Sequence, residues 1–369
     1  MLLFLGAGAS APFGIPTMPG FIDLLDSKIG SYPIYRDIKL AYKNDYDLEV
    51  LMTILEDLSK PKDEIMESIS PQTARFLFEK RKEKIEDYFD AEARDRAQNL
   101  LEEIKSIIRN ECIAAARKDT KILEIYDNFF NCLQDERVKI NNTKKIKGWG
   151  GVQVDQTKFI MPGPLNIFTT NYDNCVEVYF NRKQIDCCNG IISKYGEDIL
   201  DVDSYNSNQT ISINIFKLHG SVDLFKKQRK IRQFKSAGNL QTYLGDEIGE
   251  YSIRWPIEFG GYRHVIESPY LDLFRLLRDL AKGDKWWIII GFSFRDRTIC
   301  SILNDLLELK AQRERPTILF VDPCPEPVIK RLRKWKYTSL AKTILPIKVK
   351  FGAADFSVIF HKDLLKKWT

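Results

Sequence analysis

Leu2-Leu3-Phe4-Leu5-Gly6-Ala7-Gly8-Ala9-Ser10-Ala11-Pro12-Phe13-Gly14-Ile15-Pro16 follows directly on Met1, and its reading decides the fold class. A short apolar run ends in small residues, the pattern of a buried strand that turns sharply into a loop. Glycines there let the main chain approach a pyrophosphate closely, and the N–H groups and dipole of a following helix favour negative charge. The same residues equally suit a tight strand-to-helix packing point with no ligand. Alone, the stretch does not choose between the two.

Working outward, the second half of the chain alternates strand and helix patterns. Leu165 to Thr169 reads as a buried strand, Asp173 to Phe180 as a helix, Ile211 to Leu218 as a strand and Tyr270 to Leu280 as a helix. Trp286 to Gly291 is the strongest strand; a helix around Ile299 to Leu309, the strand Thr317 to Val321, the helix Pro325 to Lys334 and the strand Leu345 to Phe351 follow. Such alternation predicts an α/β fold, a Rossmann-like parallel sheet with helices on both faces. Ligands in such sheets bind beyond the carboxyl ends of the strands.

Between the first strand and Leu165 the period is helical throughout. Pro19 to Ile29 predicts a first helix, Asp47 to Leu58 a second with Asp47 placed to cap it, and Pro71 to Leu133 several more. Asn141 to Thr157 reads as a loop. The expected division is a Rossmann-like domain of residues 1–30 and 158–369 with an inserted helical subdomain of residues 31–157, whose charged faces are either solvated or a subunit contact.

Composition narrows the class. A chain of 369 residues buries about three quarters of its unfolded surface, so no disulfide or metal is needed to hold a core. A net charge of +5 against 56 basic and 51 acidic side chains does not by itself call for a nucleic acid or a membrane. Seven cysteines without regular spacing fit a reducing compartment, and the absence of any CxxC pair argues against a structural zinc site. Leu2 to Leu5 is too short for the apolar region of a signal peptide, and no run reaches the roughly 18 apolar residues of a membrane span. A cytoplasmic protein is expected.

The turns that end the predicted strands carry unusual residues: Gly6 to Ser10, Thr169-Thr170-Asn171-Tyr172-Asp173, His219-Gly220-Ser221, Gly291-Phe292-Ser293-Phe294-Arg295-Asp296, and Val321-Asp322-Pro323. Each has a plain structural explanation. Asn171 and Asp173 suit a helix cap, His219 suits a hydrogen-bonded structural role beside His264 and His361, and the Gly291 turn suits another strand-to-helix junction. Their convergence at one edge of a sheet is what points to a site.

In order, GAGAS, GIPT, TNYD, KLHGS and GFSFRD resemble the sirtuin-type NAD-binding domain, and within it the divergent prokaryotic branch found in NAD-depleting antiviral defence proteins. The resemblance implies that Gly6, Ala7, Gly8, Ala9 and Ser10 form the pyrophosphate loop and that Gly14, Ile15, Pro16 and Thr17 belong to a flexible cofactor loop. It implies contact of Asn171 and Asp173 with the nicotinamide ribose, its water and the carboxamide, cofactor binding by Thr170, and a catalytic role for His219 beside Asn171 and Asp173. Gly291 and Ser293 match adenosine-side phosphate and ribose contacts, and Asp322 lies at a later strand end that approaches the adenosine. Cleavage of the nicotinamide–ribose bond passes through an oxocarbenium-like state, which requires oriented polar groups near the ribose and a group that shuttles a proton. Histidine suits that role near neutral pH.

The chain departs from the protein-deacylating sirtuins, which carry a zinc module with two CxxC pairs after the histidine motif; Ser221 to Pro269 contains no cysteine. Water is therefore the expected acceptor, no metal is expected, and the expected activity is hydrolysis of NAD+ to nicotinamide and ADP-ribose in a regulated antiphage effector. A non-catalytic NAD or ADP-ribose sensor and a deacylase or ADP-ribosyltransferase are the alternatives. The resemblance further implies homo-oligomers and a regulatory partner: a HerA-like ATPase, an Argonaute-type protein or a phage component. Lys226, Lys227, Arg229, Lys230, Arg232 and Lys235 form a basic segment that is either a solvated hairpin or a nucleic-acid contact.

Overall fold

The computed structural model describes residues 1–43, 46–67, 69–80, 88–116, 118–145, 164–194, 197–207, 213–227, 230–233, 251–253 and 269–352. Among these, six strands form a parallel sheet: β1 (Leu2–Leu5), β2 (Leu165–Thr169), β5 (Ile213–Lys217), β9 (Trp286–Ile290), β10 (Thr317–Val321) and β11 (Ile344–Ile347). Their order is β11-β10-β9-β1-β2-β5. The stretch that opens the sequence is thus a central strand, with Leu3 opposite Ile167 on one side and Ile288 on the other.

A second, antiparallel sheet was not expected from the sequence. It contains β3 (Ile191–Lys194), β4 (Glu197–Leu200), β6 (Gly220–Lys227), β7 (Lys230–Gln233) and β8 (Tyr251–Ile253), in the order β3-β4-β7-β6-β8. Four of its strands have only three or four residues, too few for alternation to stand out, and the eight-residue β6 runs into the basic segment, so pairing partners supply what the pattern lacks. The basic segment begins on this sheet, with the backbone of Lys226 and Lys227 in β6 and of Lys230 and Arg232 in β7. Arg229 and Lys235, and the side chains of the segment, lie outside the described residues.

The α-helices among the described residues are α1 (Ala7–Ser10), α2 (Met18–Ile29), α3 (Pro33–Tyr42), α4 (Leu48–Leu58), α5 (Lys62–Glu67), α6 (Pro71–Glu79), α7 (Ala91–Ala116), α8 (Asp119–Lys145), α9 (Cys175–Arg182), α10 (Ser204–Ser207), α11 (Tyr270–Gly283), α12 (Arg297–Glu308), α13 (Pro325–Lys334) and α14 (Thr338–Thr343). Two differences from the sequence reading stand out. Asn141 to Lys145 continue α8 instead of opening a loop, because extending an existing helix adds a backbone hydrogen bond per residue and outweighs the modest propensity deficit of Asn and Thr; residues 146–157 lie outside the described residues. The last strand stops at Ile347, and its Pro346 is tolerated because β11 is an edge strand paired with β10.

Strand alternation sorts the sheet into two cores. Leu3, Leu5, Ile167, Ile215, Ile288, Ile290, Leu319 and Val321 face one cluster, into which Leu51, Leu55, Leu100, Ile104, Tyr126 and Phe130 of the helical segment also pack. Leu2, Phe4, Phe168, Phe216, Trp287, Ile289, Ile318 and Phe320 face the other, covered by Leu273, Leu277, Leu303 and Leu332. A sheet buried on both faces explains why its strands read as continuous apolar runs. Helices α4, α7 and α8 share the first of these cores with α2 and α9.

Candidate active site

A cavity of about 390 Å³ opens at the carboxyl ends of β1, β2, β5, β9 and β10. Its lining includes Ala7, Gly8, Ser10, Ile15, Pro16, Thr17, Thr170, Asn171, Asp173, His219, Gly291, Ser293 and Asp322. Of the residues matched to the cofactor in the sequence, Gly6, Ala9 and Gly14 are not on its wall. The helical segment closes another side through Leu48 at the start of α4 and Cys112 on α7; burial pushes the Cys112 thiol well above its ordinary range, so it presents a neutral, apolar surface.

The glycines of the opening turn serve backbone packing first. Gly6 N–H donates to Ile290 O at 2.9 Å, Gly8 N–H to Gly291 O at 2.9 Å and Ala9 N–H to Gly6 O at 2.8 Å, so these three amides are spent inside the protein. A Cβ on Gly6 would lie 2.5 Å from Phe292 Cα, and one on Gly8 2.7 Å from Gly291 Cα. Gly8 does both things foreseen for the turn: it packs on β9's turn and lines the cavity. Ala9 is fully buried in the core under α1.

Ser10 sits at the centre of a hydrogen-bond chain whose donor order follows from its ends. The Gly6 carbonyl only accepts, so the group of Asn171 2.9 Å away is its NH₂, and the same nitrogen lies 2.7 Å from Ser10 Oγ. Ser10 in turn donates to Asp173 Oδ2 at 2.6 Å, while Asp173 Oδ1 accepts the Cys175 N–H at 3.0 Å. With both amide hydrogens of Asn171 engaged, its carbonyl oxygen remains for the cavity. Asn171 therefore caps no helix, whereas Asp173 joins two roles, holding the first N–H of α9 and fixing Ser10.

Beneath this chain lies a buried cation. Lys217, on the last position of β5, donates to the Asp173 carbonyl and sits 3.2 Å from Glu177 Oε1. Burial alone would lower the Lys217 ammonium, but Glu177, Asp173 and Asp223 outweigh it and hold the group above its ordinary value. The TNYD turn is thereby pinned from below by a largely buried charge.

His219, two residues past β5, is buried, and its Nε2 lies 2.9 Å from Asp296 Oδ2. The other carboxylate oxygen accepts the Ile299 N–H at 2.9 Å, which makes Asp296 the N-cap of α12. Asp296 follows Phe294, which has φ of +52° and is fully buried among Phe292 and Phe320. Core packing thus enforces the left-handed turn that brings the carboxylate over the histidine. The neighbouring Arg295 pairs with Asp47 Oδ2 at 2.8 Å, and Asp47 Oδ1 caps α4 by accepting the Val50 N–H. Sequence displays the GFSFRD residues but not the partnership of Asp296, because the histidine it faces is 77 positions earlier.

The far end of the cavity is built from β9 and β10. The Ser293 carbonyl accepts Arg331 Nη1 at 2.6 Å, and Asp322 Oδ1 accepts the Cys324 N–H at 2.7 Å. Burial raises the Asp322 carboxyl above its ordinary value against the pull of that N–H. Tyr172, Arg295, Asp296, Arg331 and Phe351 also line the cavity and were not singled out as site residues in the sequence. Phe351 arrives there through its ring contacts with Tyr126 and Phe129, which no local pattern reveals.

Fold and site together define a Rossmann-like α/β protein with a cavity at the carboxyl edge of its parallel sheet, into whose mostly apolar wall a few polar strand-end residues are set. Residues 165–342 match the family model described as SIR2-like domain, which supports a sirtuin-like assignment and use of NAD, since such domains are NAD-utilising enzymes. No curated protein matches the chain significantly. The matched span begins at β2 and ends within α14, leaving out β1, yet β1 pairs on either side with strands inside it. Among the described residues no helix is long and apolar enough to cross a membrane.

Proposed function

We propose that this protein is an NAD+ glycohydrolase that releases nicotinamide and ADP-ribose, acting as a regulated effector of antiphage defence by NAD depletion. The observation that carries the activity is the meeting of Asn171 from the end of β2 and His219 from the end of β5 on one cavity, within a span that matches a SIR2-like domain. In this reading the Asn171 carbonyl oxygen orients the ribose hydroxyls or the attacking water, and Asp173 with Ser10 holds Asn171 rigid while marking the nicotinamide side. The C1′–N bond breaks with its electron pair leaving on nicotinamide, water adds to the ribosyl carbon, and His219 takes the proton that water loses.

Water is preferred to an acyl-lysine oxygen as acceptor because the segment after the histidine carries no CxxC pair from which the deacylases' zinc module is made. An enzyme that drains a central cofactor has to be silent until triggered. Low activity of the isolated chain, homo-oligomerisation, and control by a HerA-like ATPase, an Argonaute-type protein or a phage component in the cytoplasm complete the proposal.

The test is nicotinamide release from NAD+, with the protein alone and with each candidate partner, in wild type, Asn171→Ala and His219→Ala. Release by wild type and its loss in both variants supports the reading. NAD binding without release under every condition favours a sensor, and release only with an acylated peptide favours a deacylase.

A further inference from the structure

We infer that Asp296 is a positioning residue that fixes the ring of His219 in one tautomer, so that Nδ1 is the nitrogen that takes the proton. The inference rests on the hydrolase reading only for the last step; the tautomer itself follows from the geometry.

An ionised carboxylate has no proton to give. Asp296 Oδ2, 2.9 Å from Nε2, therefore makes Nε2 the protonated nitrogen and leaves Nδ1 with its lone pair. The carboxylate cannot turn away, because its Oδ1 is held at 2.9 Å by the Ile299 N–H at the start of α12. Both partners are buried, with side chains only 7% exposed, so water does not compete for the bond. The backbone is held as well: Phe294, two residues before Asp296, has its left-handed conformation locked by core aromatics. Three independent restraints thus converge on one carboxylate, more than capping a helix requires.

The site gains a base of defined direction. A ring free to exchange tautomers would spend part of its time with Nδ1 protonated and unable to accept; the Asp296 bond removes that fraction and stabilises the imidazolium once the proton arrives. Proton transfer then runs from water to Nδ1, with the positive charge shared along Nε2–H to Oδ2 and no second proton moved.

Nitrogen NMR of the imidazole rings reads this without any enzymatic turnover. The sequence has three histidines, so comparison with His219→Gln assigns the His219 signals. Wild type is expected to show a protonated Nε2 and a pyridine-like Nδ1. Asp296→Asn retains a good N-cap but turns an amide NH₂ toward Nε2, so the ring is expected to flip to the Nδ1–H form. Where wild type releases nicotinamide, the same variant should lower kcat by about 10²-fold to 10⁴-fold with KM for NAD+ little changed. A wild-type ring that averages between tautomers, or one protonated at Nδ1, overturns the inference, and this spectrum decides even if the variant fails to fold. A fixed Nε2–H ring in a protein that releases no nicotinamide under any condition upholds the positioning role and sinks the hydrolase reading instead.

Discussion

Replacement of Gly291 by alanine probes the contact on which the whole site is hung. Its φ is +59°, and an added Cβ would lie 2.4 Å from Gly8 Cα and 2.5 Å from both Ala9 N and Gly8 C, all backbone atoms of the opposite turn. The left-handed conformation costs an alanine about 1–2 kcal/mol, and forcing a methyl into a packed contact a further 1–3 kcal/mol or so. With an unfolding entropy of about 2.1 cal/mol/K per residue over 369 residues, a loss of about 2–5 kcal/mol lowers Tm by roughly 3–6 °C. Because the neighbours are main chain, relief requires β1's turn to separate from β9's. NAD binding should weaken along with stability. Differential scanning calorimetry and NAD titration of Gly291→Ala measure both, with Gly283→Ala as control, where the new Cβ meets nothing within 4 Å. An unchanged Tm and unchanged binding in Gly291→Ala would refute the claim that this contact sets the cavity.

Two further perturbations test the groups beneath and beyond the site. Lys217→Met leaves Glu177 and the Asp173 carbonyl without their cation and is expected to cost about 3 kcal/mol in urea unfolding, most of it restored by adding Glu177→Gln; a single-variant loss under about 1 kcal/mol contradicts the pinning role. Asp322 has its carboxyl raised above 3.8 by burial, so its contribution to stability is complete below that pH and is lost as pH rises through the folded-state value. Asp322→Asn, which keeps the bond to the Cys324 N–H, should therefore gain stability relative to wild type as pH rises from about 3 to 7, and a flat difference across that range counts against burial as the cause.

Much of the fold was legible because a sheet covered on both faces writes itself as apolar runs: Leu2 to Leu5, Leu165 to Thr169, Trp286 to Ile290 and Thr317 to Val321 each stand out without knowledge of their partners. Asp47 was legible as a cap for the same reason, since capping is a matter of a few adjacent residues. The antiparallel sheet was not, because four of its five strands have only three or four residues and take their stability from pairing. Among site residues, Asn171, Asp173 and His219 showed themselves by type at strand ends. Asp296 stood in one of those turns without revealing its histidine partner, and Phe351 gave no local sign, since each acts through a side chain distant in sequence.

The sequence by itself determined the period of the helices and of the parallel strands, the α/β class and the residue types at the strand ends, all properties carried within about a dozen neighbouring positions. Only the tertiary structure decided that Leu2 to Leu5 runs between β2 and β9, that the glycines after it are held by Gly291, and that Ser10 rather than a ligand takes the Asn171 amide. Close approach of two backbones and the direction of a hydrogen bond depend on groups brought together by folding, and a linear order of residues does not encode them locally.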